Sequence, residues 1–215
     1  GFADRLAQQW LIRHIEPSWD KRFIDDSFAN RKGKGTQAAT ERLQMFMRRP
    51  GQRWYIKLDI QAFFPSIDRR ILLELWSTHF PKLHCPHALR DQIDGVARAI
   101  LEQSPTDPAP VRSGNLALLS QIPAHKSWLL APEHAGMPIG SLTSQFFANV
   151  YLNELDQFIK HTLKVPCYLR YVDDFILLAD DPNTLLAWKH SIASFLQDRL
   201  RLSLHPAKVV LQRCA

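Results

Sequence analysis

Cysteine is nearly missing from this chain. Cys85, Cys167 and Cys214 are three in 215 residues, widely spaced and odd in number. That excludes the disulfide framework of a small secreted scaffold. The nine histidines never join them at zinc-binding spacing. No apolar run reaches the roughly 18 residues of a membrane span, and no signal peptide is visible. A reducing, cytoplasmic setting is therefore expected. Eight glycines and fourteen prolines, with no repeat and no low-complexity tract, exclude a fibrous or disordered chain.

What is present is a globular composition, 46% hydrophobic, in a chain long enough to bury a sizeable core as one domain or two joined subdomains. The net charge of +6 is uneven. Residues 1–60 hold 12 Lys/Arg against 7 Asp/Glu, and the remainder hold 15 against 14. Such a basic excess suits either an ordinary solvated surface or a nucleic-acid contact.

Periodicity gives the element order. Leu6, Trp10, Leu11 and Ile15 predict a helix over 3–15, ended by Glu16-Pro17. Residues 23–28 read as loop or strand. Thr36 is placed to cap a helix to about Arg49, with Ala39, Leu43, Phe46 and Met47 inward. Trp54 to Leu58 alternates as a strand, with Trp54, Ile56 and Leu58 on one face and Tyr55, Lys57 and Asp59 on the other. Ser66 or Asp68 caps a helix to about His79, and a further helix is expected over 86–103. Residues 104–135 are loop-like. Ser141 opens the longest predicted helix, to about Leu163. Two strands, from Cys167 to Tyr171 and from Phe175 to Ala179, form a hairpin. Pro182-Asn183 starts a helix to about Arg199, with Asp180 and Asp181 as a solvated turn and cap, and strands over 201–205 and 207–212 close the chain. The order implies an α+β fold with helices on one face of an antiparallel sheet.

The chemistry gathers at strand ends. Asp173 and Asp174 lie at the hairpin turn, where adjacent like charges disfavour each other unless a cation shares the site. A second carboxylate, Asp59, ends the earlier strand. Carboxylate oxygens suit Mg2+, and two such ions about 3.5–4 Å apart can clamp the attacking and leaving oxygens of a phosphoryl transfer. The alternative is that these are ordinary turn and strand-end acids.

Three blocks carry a resemblance. They are Leu58-Asp59-Ile60-Gln61-Ala62-Phe63-Phe64-Pro65-Ser66-Ile67-Asp68, then Gly136-Met137-Pro138-Ile139-Gly140-Ser141-Leu142-Thr143-Ser144-Gln145 continuing to Asn153, then Tyr171-Val172-Asp173-Asp174. A weaker fourth is His205-Pro206-Ala207-Lys208. In order and spacing they resemble the palm of a reverse transcriptase over nearly the whole chain. Ile139-Gly140 and Ser144-Gln145 stand where most relatives have Gln-Gly and Ser-Pro. This variant, with Arg31-Lys32-Gly33-Lys34-Gly35-Thr36, resembles the reverse transcriptases of diversity-generating retroelements, which copy a template RNA with errors at adenines.

The resemblance implies an RNA-directed DNA polymerase, with residues 1–52 as partial fingers, 53–215 as palm, a fingers or loop insertion around 80–135, and no thumb. Such a fragment need not be active alone. Asp59, Asp173, Asp174 and the Ile60 carbonyl would hold two Mg2+ ions, with Mn2+ as the alternative. Lys208 would protonate departing pyrophosphate. Phe64 would be the steric gate against a ribose 2′-hydroxyl. Gly136, Ile139, Gly140 and Ser144 would lie at the nucleotide, and Arg31, Lys32 and Lys34 would contact template phosphate or triphosphate. The implied partners are template RNA, a nucleic-acid primer, dNTPs and a small helical accessory protein, with no membrane. Two rivals remain: a retron or phage-defence reverse transcriptase, and a polymerase-derived RNA-binding module without chemistry.

Overall fold

Strand β1, Trp54–Asp59, is the centre of the architecture. In the computed structural model, which describes residues 1–107 and 132–214, β1 pairs antiparallel with β3 (Asp174–Ala179) on one side and β4 (Val210–Arg213) on the other. Strand β2 (Cys167–Tyr171) completes the order β2-β3-β1-β4. The antiparallel sheet with packed helices is the expected fold class. Its register runs from Trp54 opposite Ala179 to Asp59 opposite Asp174.

The chain forms two compact units. One comprises Gly1–Ser18 and Ala62–Phe147, the other Trp19–Gln61 and Ala148–Ala215. The second unit holds the whole sheet. Period-two alternation sends Ile56, Leu58, Phe175 and Leu177 to one face, all fully buried. On that side Tyr168 and Arg170 bond to α6 (Leu142–Gln157). Helix α7 (Pro182–Leu200) packs on β1 and β3. It meets the continuation of α6 through a Phe158–Phe195 stack at 4.3 Å and a bond from the Tyr151 hydroxyl to the Leu200 carbonyl, 2.7 Å. The other face is covered at one corner by α2 (Thr36–Met47), whose Ala39 and Phe46 pack with Phe28, Cys167, Leu169 and Leu178. At its opposite end that face is open, with the Lys57 and Asp174 side chains 44% and 42% exposed.

The first unit contains most of α1 (Phe2–Asp20), α3 (Phe63–Ser66), α4 (Arg69–His79) and α5 (Arg90–Glu102). Asp68 is the α4 cap, accepting from the Arg70 N–H at 2.9 Å. Leu72 and Trp76 face inward, and Trp76 stacks on Phe80 at 4.8 Å. Two 3-10 turns, Phe80–Lys82 and His87–Leu89, precede α5, where a helix from 86 was expected. Of the loop expected over 104–135, residues 108–131 lie outside the described residues.

Four other expectations are corrected. Helix α1 does not stop before Pro17 but continues to Asp20. A proline inside a helix costs about 3 kcal/mol. Trp19 beyond it is fully buried, and burying about 150–250 Å² of indole contributes roughly 4–6 kcal/mol, which outweighs that loss. Thr36 is the first helical residue rather than the cap. Gly35 takes the cap position at φ 140, a conformation a β-branched residue resists, and the Thr36 hydroxyl instead donates to the Tyr171 hydroxyl at 3.0 Å. Helix α6 ends at Gln157, and Phe158–Thr162 continues as a π-turn. Residues 201–205 are not a strand. Arg201 is left-handed at φ 52, which turns the chain, and only Leu204 makes an isolated bridge, to Ile60.

Phe46 should therefore be a stability hot spot. Phe46→Ala is expected to lower unfolding stability by about 3–5 kcal/mol, the cost of losing the transfer energy and leaving a cavity. Urea denaturation followed by circular dichroism measures it; a loss below about 1 kcal/mol would show that this corner is not packed as described.

Candidate functional site

Asp59 and Asp174 occupy the last rung of the β1–β3 ladder, directly opposite each other. Directly paired residues of an antiparallel ladder hold their Cβ atoms about 4.5–5.5 Å apart, so the two carboxylates are neighbours by construction. Asp173 precedes Asp174 in the two-residue turn from β2. Its carbonyl accepts the Ile60 N–H at 3.3 Å, which fastens the turn to the end of β1. Three acids are thus delivered to one end of one sheet by two strand ends and a turn.

The acids are unequally exposed. The Asp59 side chain is 8% exposed and that of Asp174 42%. The Asp173 carboxyl is pushed above the usual carboxylate range. Burial is the main cause, and the charges of Asp59 and Asp174 add to it, against the lowering effects of a backbone hydrogen bond and Lys208.

Two lysines answer this charge. Lys208 donates to Asp59 Oδ2 at 2.9 Å and Lys57 pairs with Asp174 Oδ1 at 3.1 Å. The hydrogen bond to Asp59 is the main reason that Lys208 is raised above an ordinary lysine. Lys208 does not lie on a strand as expected. It follows the Pro206-Ala207 turn and precedes β4. Residues 203–208 are stitched alongside the end of β1: Gln61 N–H bonds to the Ser203 carbonyl at 2.9 Å, His205 N–H to the Asp59 carbonyl at 2.7 Å, and Lys208 N–H to the His205 carbonyl at 3.3 Å. That stitching brings the Lys208 ammonium to Asp59.

The donor set fits a hard divalent cation in chemistry: all oxygen and all acidic, with Asp173 raised by burial first and by its like-charged neighbours after it. It is not closed into a ligand cage. Among the described residues no three His, Cys, Asp or Glu side chains stand close enough to hold an ion as they are. One oxygen of Asp59 and one of Asp174 are bonded to lysine ammoniums instead.

The remaining residues singled out from sequence fall in three places. Phe64 is partly exposed, tilted on Phe63 at 5.3 Å, and its carbonyl accepts the Met137 N–H at 3.0 Å. Gly136 donates to the Ile67 carbonyl at 2.8 Å, so the start of the second block is tied to the end of the first. Ile139 is 70% exposed and so takes no part in the core. Gly140 has φ 90, and a Cβ there would meet nothing within 4 Å, so the backbone faces open space. Ser144 is buried in helix-start chemistry: its N–H donates to Ser141 Oγ at 3.0 Å and its Oγ lies 2.6 Å from that atom. In the basic loop, the Arg31 guanidinium is turned inward, bonding to Asp20 Oδ1 at 2.6 Å, the Ile24 carbonyl at 2.6 Å and the Ser27 carbonyl at 3.0 Å. Lys34 donates to the Asp25 carbonyl at 2.8 Å, and Lys32 is exposed.

Sequence reasoning missed Lys57 and the buried network around Arg170. Arg170 is 1% exposed and Asp156 is fully buried; the two form a bidentate pair at 2.8 and 2.6 Å. The Tyr168 hydroxyl donates to the same carboxylate at 2.6 Å. Desolvation alone would lower Arg170, but Asp156 more than offsets it and holds the guanidinium above its usual range. The signal was present. An arginine inside the apolar run Cys167-Tyr168-Leu169 needs a buried acid, and Asn149, Asn153 and Asp156 form a polar stripe at helical spacing on α6.

The profile of the family described as "Reverse transcriptase (RNA-dependent DNA polymerase)" matches residues 2–213. Protein YkfC of Escherichia coli (strain K12) is 22% identical over 74% of this chain. Group II intron-encoded protein LtrA of Lactococcus lactis subsp. cremoris is 20% identical over 98% of it. The chain spans 35% and 41% of the length of these two relatives. Among solved structures, apo telomerase from Candida tropicalis truncated from its C-terminal domain aligns with a TM-score of 0.61 at 16% identity, covering 98% of this chain and 39% of that one. Candida tropicalis telomerase in complex with a telomeric RNA fragment gives 0.60 at 15% identity, covering 96% and 33%. At these identities the structural likeness speaks for the fold.

Proposed function

The chain belongs to the reverse transcriptase (RNA-dependent DNA polymerase) family, and from that premise we propose that it is the catalytic part of an RNA-directed DNA polymerase, of the diversity-generating retroelement type. The observation that carries the activity is the last rung of the sheet, where Asp59 faces Asp174 with Asp173 beside it in the turn. The retroelement type rests on Ile139-Gly140, Ser144-Gln145 and the basic 31–36 loop.

Reverse transcriptases normally use divalent metals. In this reading Asp59, Asp173, Asp174 and the Ile60 carbonyl hold two Mg2+ ions, or Mn2+, which when bound supply positive charge to the attacking and leaving oxygens. The primer 3′-hydroxyl oxygen bonds to the α-phosphorus of a dNTP and gives its proton to solvent water, and the bond from that phosphorus to the pyrophosphate oxygen breaks. Lys208 releases Asp59 and gives a proton to the departing pyrophosphate. Phe64 leaves a ribose 2′-hydroxyl neither room nor a hydrogen-bond partner. Gly136, Gly140 and Ser144 shape the nucleotide side, and Ile139, exposed and apolar, offers the nascent pair a surface without polar readout. Lys32 and Lys34 contact template phosphate, with Arg31 holding their loop. Residues 1–52 serve as fingers and 53–215 as palm, with the insertion around 80–135. Template RNA, a primer and a small helical accessory protein complete the working assembly. No helix among the described residues is long and apolar enough to cross a membrane. Three free cysteines support a reducing, cytoplasmic setting.

Three outcomes are expected of the full-length protein. Asp59→Asn and Asp173→Asn each abolish primer extension on an RNA template while circular dichroism shows the fold intact, because an amide cannot carry the charge that holds dications; near-wild-type extension by both would refute the assignment. Phe64→Ala raises the ratio of ribonucleotide to deoxyribonucleotide kcat/KM about tenfold, equal to about 1.4 kcal/mol; an unchanged ratio makes Phe64 a packing residue only. Ile139→Gln lowers misincorporation, most at template adenines, because a hydrogen-bonding side chain separates correct from incorrect geometry more sharply. Product sequencing from one defined RNA measures it, and equal or higher error opposite adenine would remove Ile139 from fidelity and the retroelement type with it.

A further inference from the structure

The turn that presents Asp173 and Asp174 takes an unusual backbone. Val172 has φ 55, the left-handed region, which a β-branched residue resists. Asp173, the other central residue of the turn, is not among the residues with positive φ. Left-handed first and not second is the pattern of a type II′ hairpin turn, which ordinarily places glycine where this chain has Val172. A conformation of this kind persists only where its surroundings hold it.

The holding contacts are present. Arg170 Nη1 donates to the Val172 carbonyl at 2.9 Å. That guanidinium is itself immobilised. Asp156 takes Nε and Nη2, and Asn149 Oδ1 accepts from Nη1 at 3.1 Å. Asn149 is fixed in turn, its amide donating to the Ala29 carbonyl at 2.9 Å. The Arg170 backbone is held as well, at the edge of β2: its N–H bonds to the Asp26 carbonyl at 2.9 Å and its carbonyl accepts the Phe28 N–H at 3.0 Å. Neither carbonyl of the turn is loose, since Ile60 holds that of Asp173.

We propose that Arg170 is a positioning residue for the carboxylate turn: backed by Asp156 and Asn149, it clamps the Val172 carbonyl and so keeps Val172 left-handed and Asp173 and Asp174 in register with Asp59. The proposal rests on the reading of those acids as the catalytic set. The choice of arginine follows from geometry. A planar guanidinium can bind a carboxylate in bidentate fashion and still direct an N–H to a carbonyl; a lysine ammonium, as a point charge on a flexible stem, cannot span both. A glycine at position 172 would occupy the left-handed region without being held.

The test is a double-mutant cycle in the full-length protein, with Arg170→Lys, Val172→Gly and the pair. Arg170→Lys retains a positive charge beside Asp156, so the fold is not asked to bury an unpaired carboxylate. Two readouts are taken: kcat and dNTP KM for primer extension, and amide hydrogen exchange by NMR without metal or substrate. Arg170→Lys is expected to lower kcat at least tenfold with dNTP KM changed less than threefold. It should speed exchange at the Ile60 amide about tenfold while Leu177, in the centre of β3, stays as protected as before. On the Val172→Gly chain the same substitution should cost no more than about threefold in kcat. Unchanged exchange at Ile60 would overturn the clamp. So would exchange accelerated equally at Ile60 and Leu177 with a kcat loss of the same size on both chains, because Arg170 would then support the core generally. If Asp173→Asn kept full extension, the catalytic reading would fall, while the exchange measurement would still decide whether Arg170 holds the turn.

Discussion

The buried Arg170–Asp156 pair is the constraint on which the rest of the sheet end depends. Two charges removed from water must compensate each other fully, and removing either one leaves an uncompensated ion at a cost of about 3–5 kcal/mol. Here compensation is close to complete. The carboxylate of Asp156 receives both guanidinium nitrogens and the Tyr168 hydroxyl, and the remaining Arg170 nitrogen is shared between Asn149 and Val172. The consequence is positional. Because Arg170 cannot move without exposing Asp156 to an unpaired state, α6, β2 and the segment around Asp26–Phe28 are locked to one another. The turn after β2 inherits that rigidity.

The acids at the turn are compensated in the opposite way, by groups that can leave. The Lys57–Asp174 pair has both side chains more than two-fifths exposed, and such pairs contribute only about 0–1 kcal/mol. Asp59 is 8% exposed and is held by Lys208, whose own side chain is 59% exposed. So Asp174 gives up its partner easily, while Asp59 keeps a cation beside a nearly dry carboxylate until something better compensated replaces it. Asp173, desolvated and facing two like charges, has the most to gain from added positive charge. The left-handed Val172 adds about 1–2 kcal/mol of strain at the same point. Strain and repulsion are thus concentrated on two adjacent residues, and the buried network that tolerates them lies immediately beneath.

Most of the fold was legible because local chemistry and tertiary packing agree. Alternation over Trp54–Asp59 matched the register with β3; of the two caps offered for α4 Asp68 is the one used, accepting from the Arg70 N–H, and Asp181 caps α7 by accepting from the Thr184 N–H. The readings that failed are those where a distant contact overrides a local rule. Pro17 argued for a helix end, and the burial of Trp19 two residues later outweighed it. Thr36 had the right chemistry for a cap, yet Gly35 could adopt the required backbone and Tyr171 offered the hydroxyl another partner. Residues 201–205 had strand-like alternation but lie against Asp59–Gln61 through Leu204 and two flanking backbone bonds only, which fasten them without forming a ladder.

The site itself divides along the same line. The meeting of Asp59, Asp173 and Asp174 was readable because alternation sets the strand that ends at Asp59 and the hairpin turn carries the other two, and spacing along the chain records both. Their support is recorded differently. Asn149 meets Ala29 across 120 residues, and Asn149 and Asp156 meet Arg170 across 21 and 14. No spacing rule links such positions. What the sequence does carry is an imbalance at each end: an arginine in an apolar strand, and two asparagines and an aspartate on the inward stripe of an apolar helix. Each would be costly to bury alone, so each predicts the other once both elements are taken to face one core. Pairing such imbalances before counting apolar residues would have placed Arg170 and Asp156 together, and with them the hold on the turn that carries the acids.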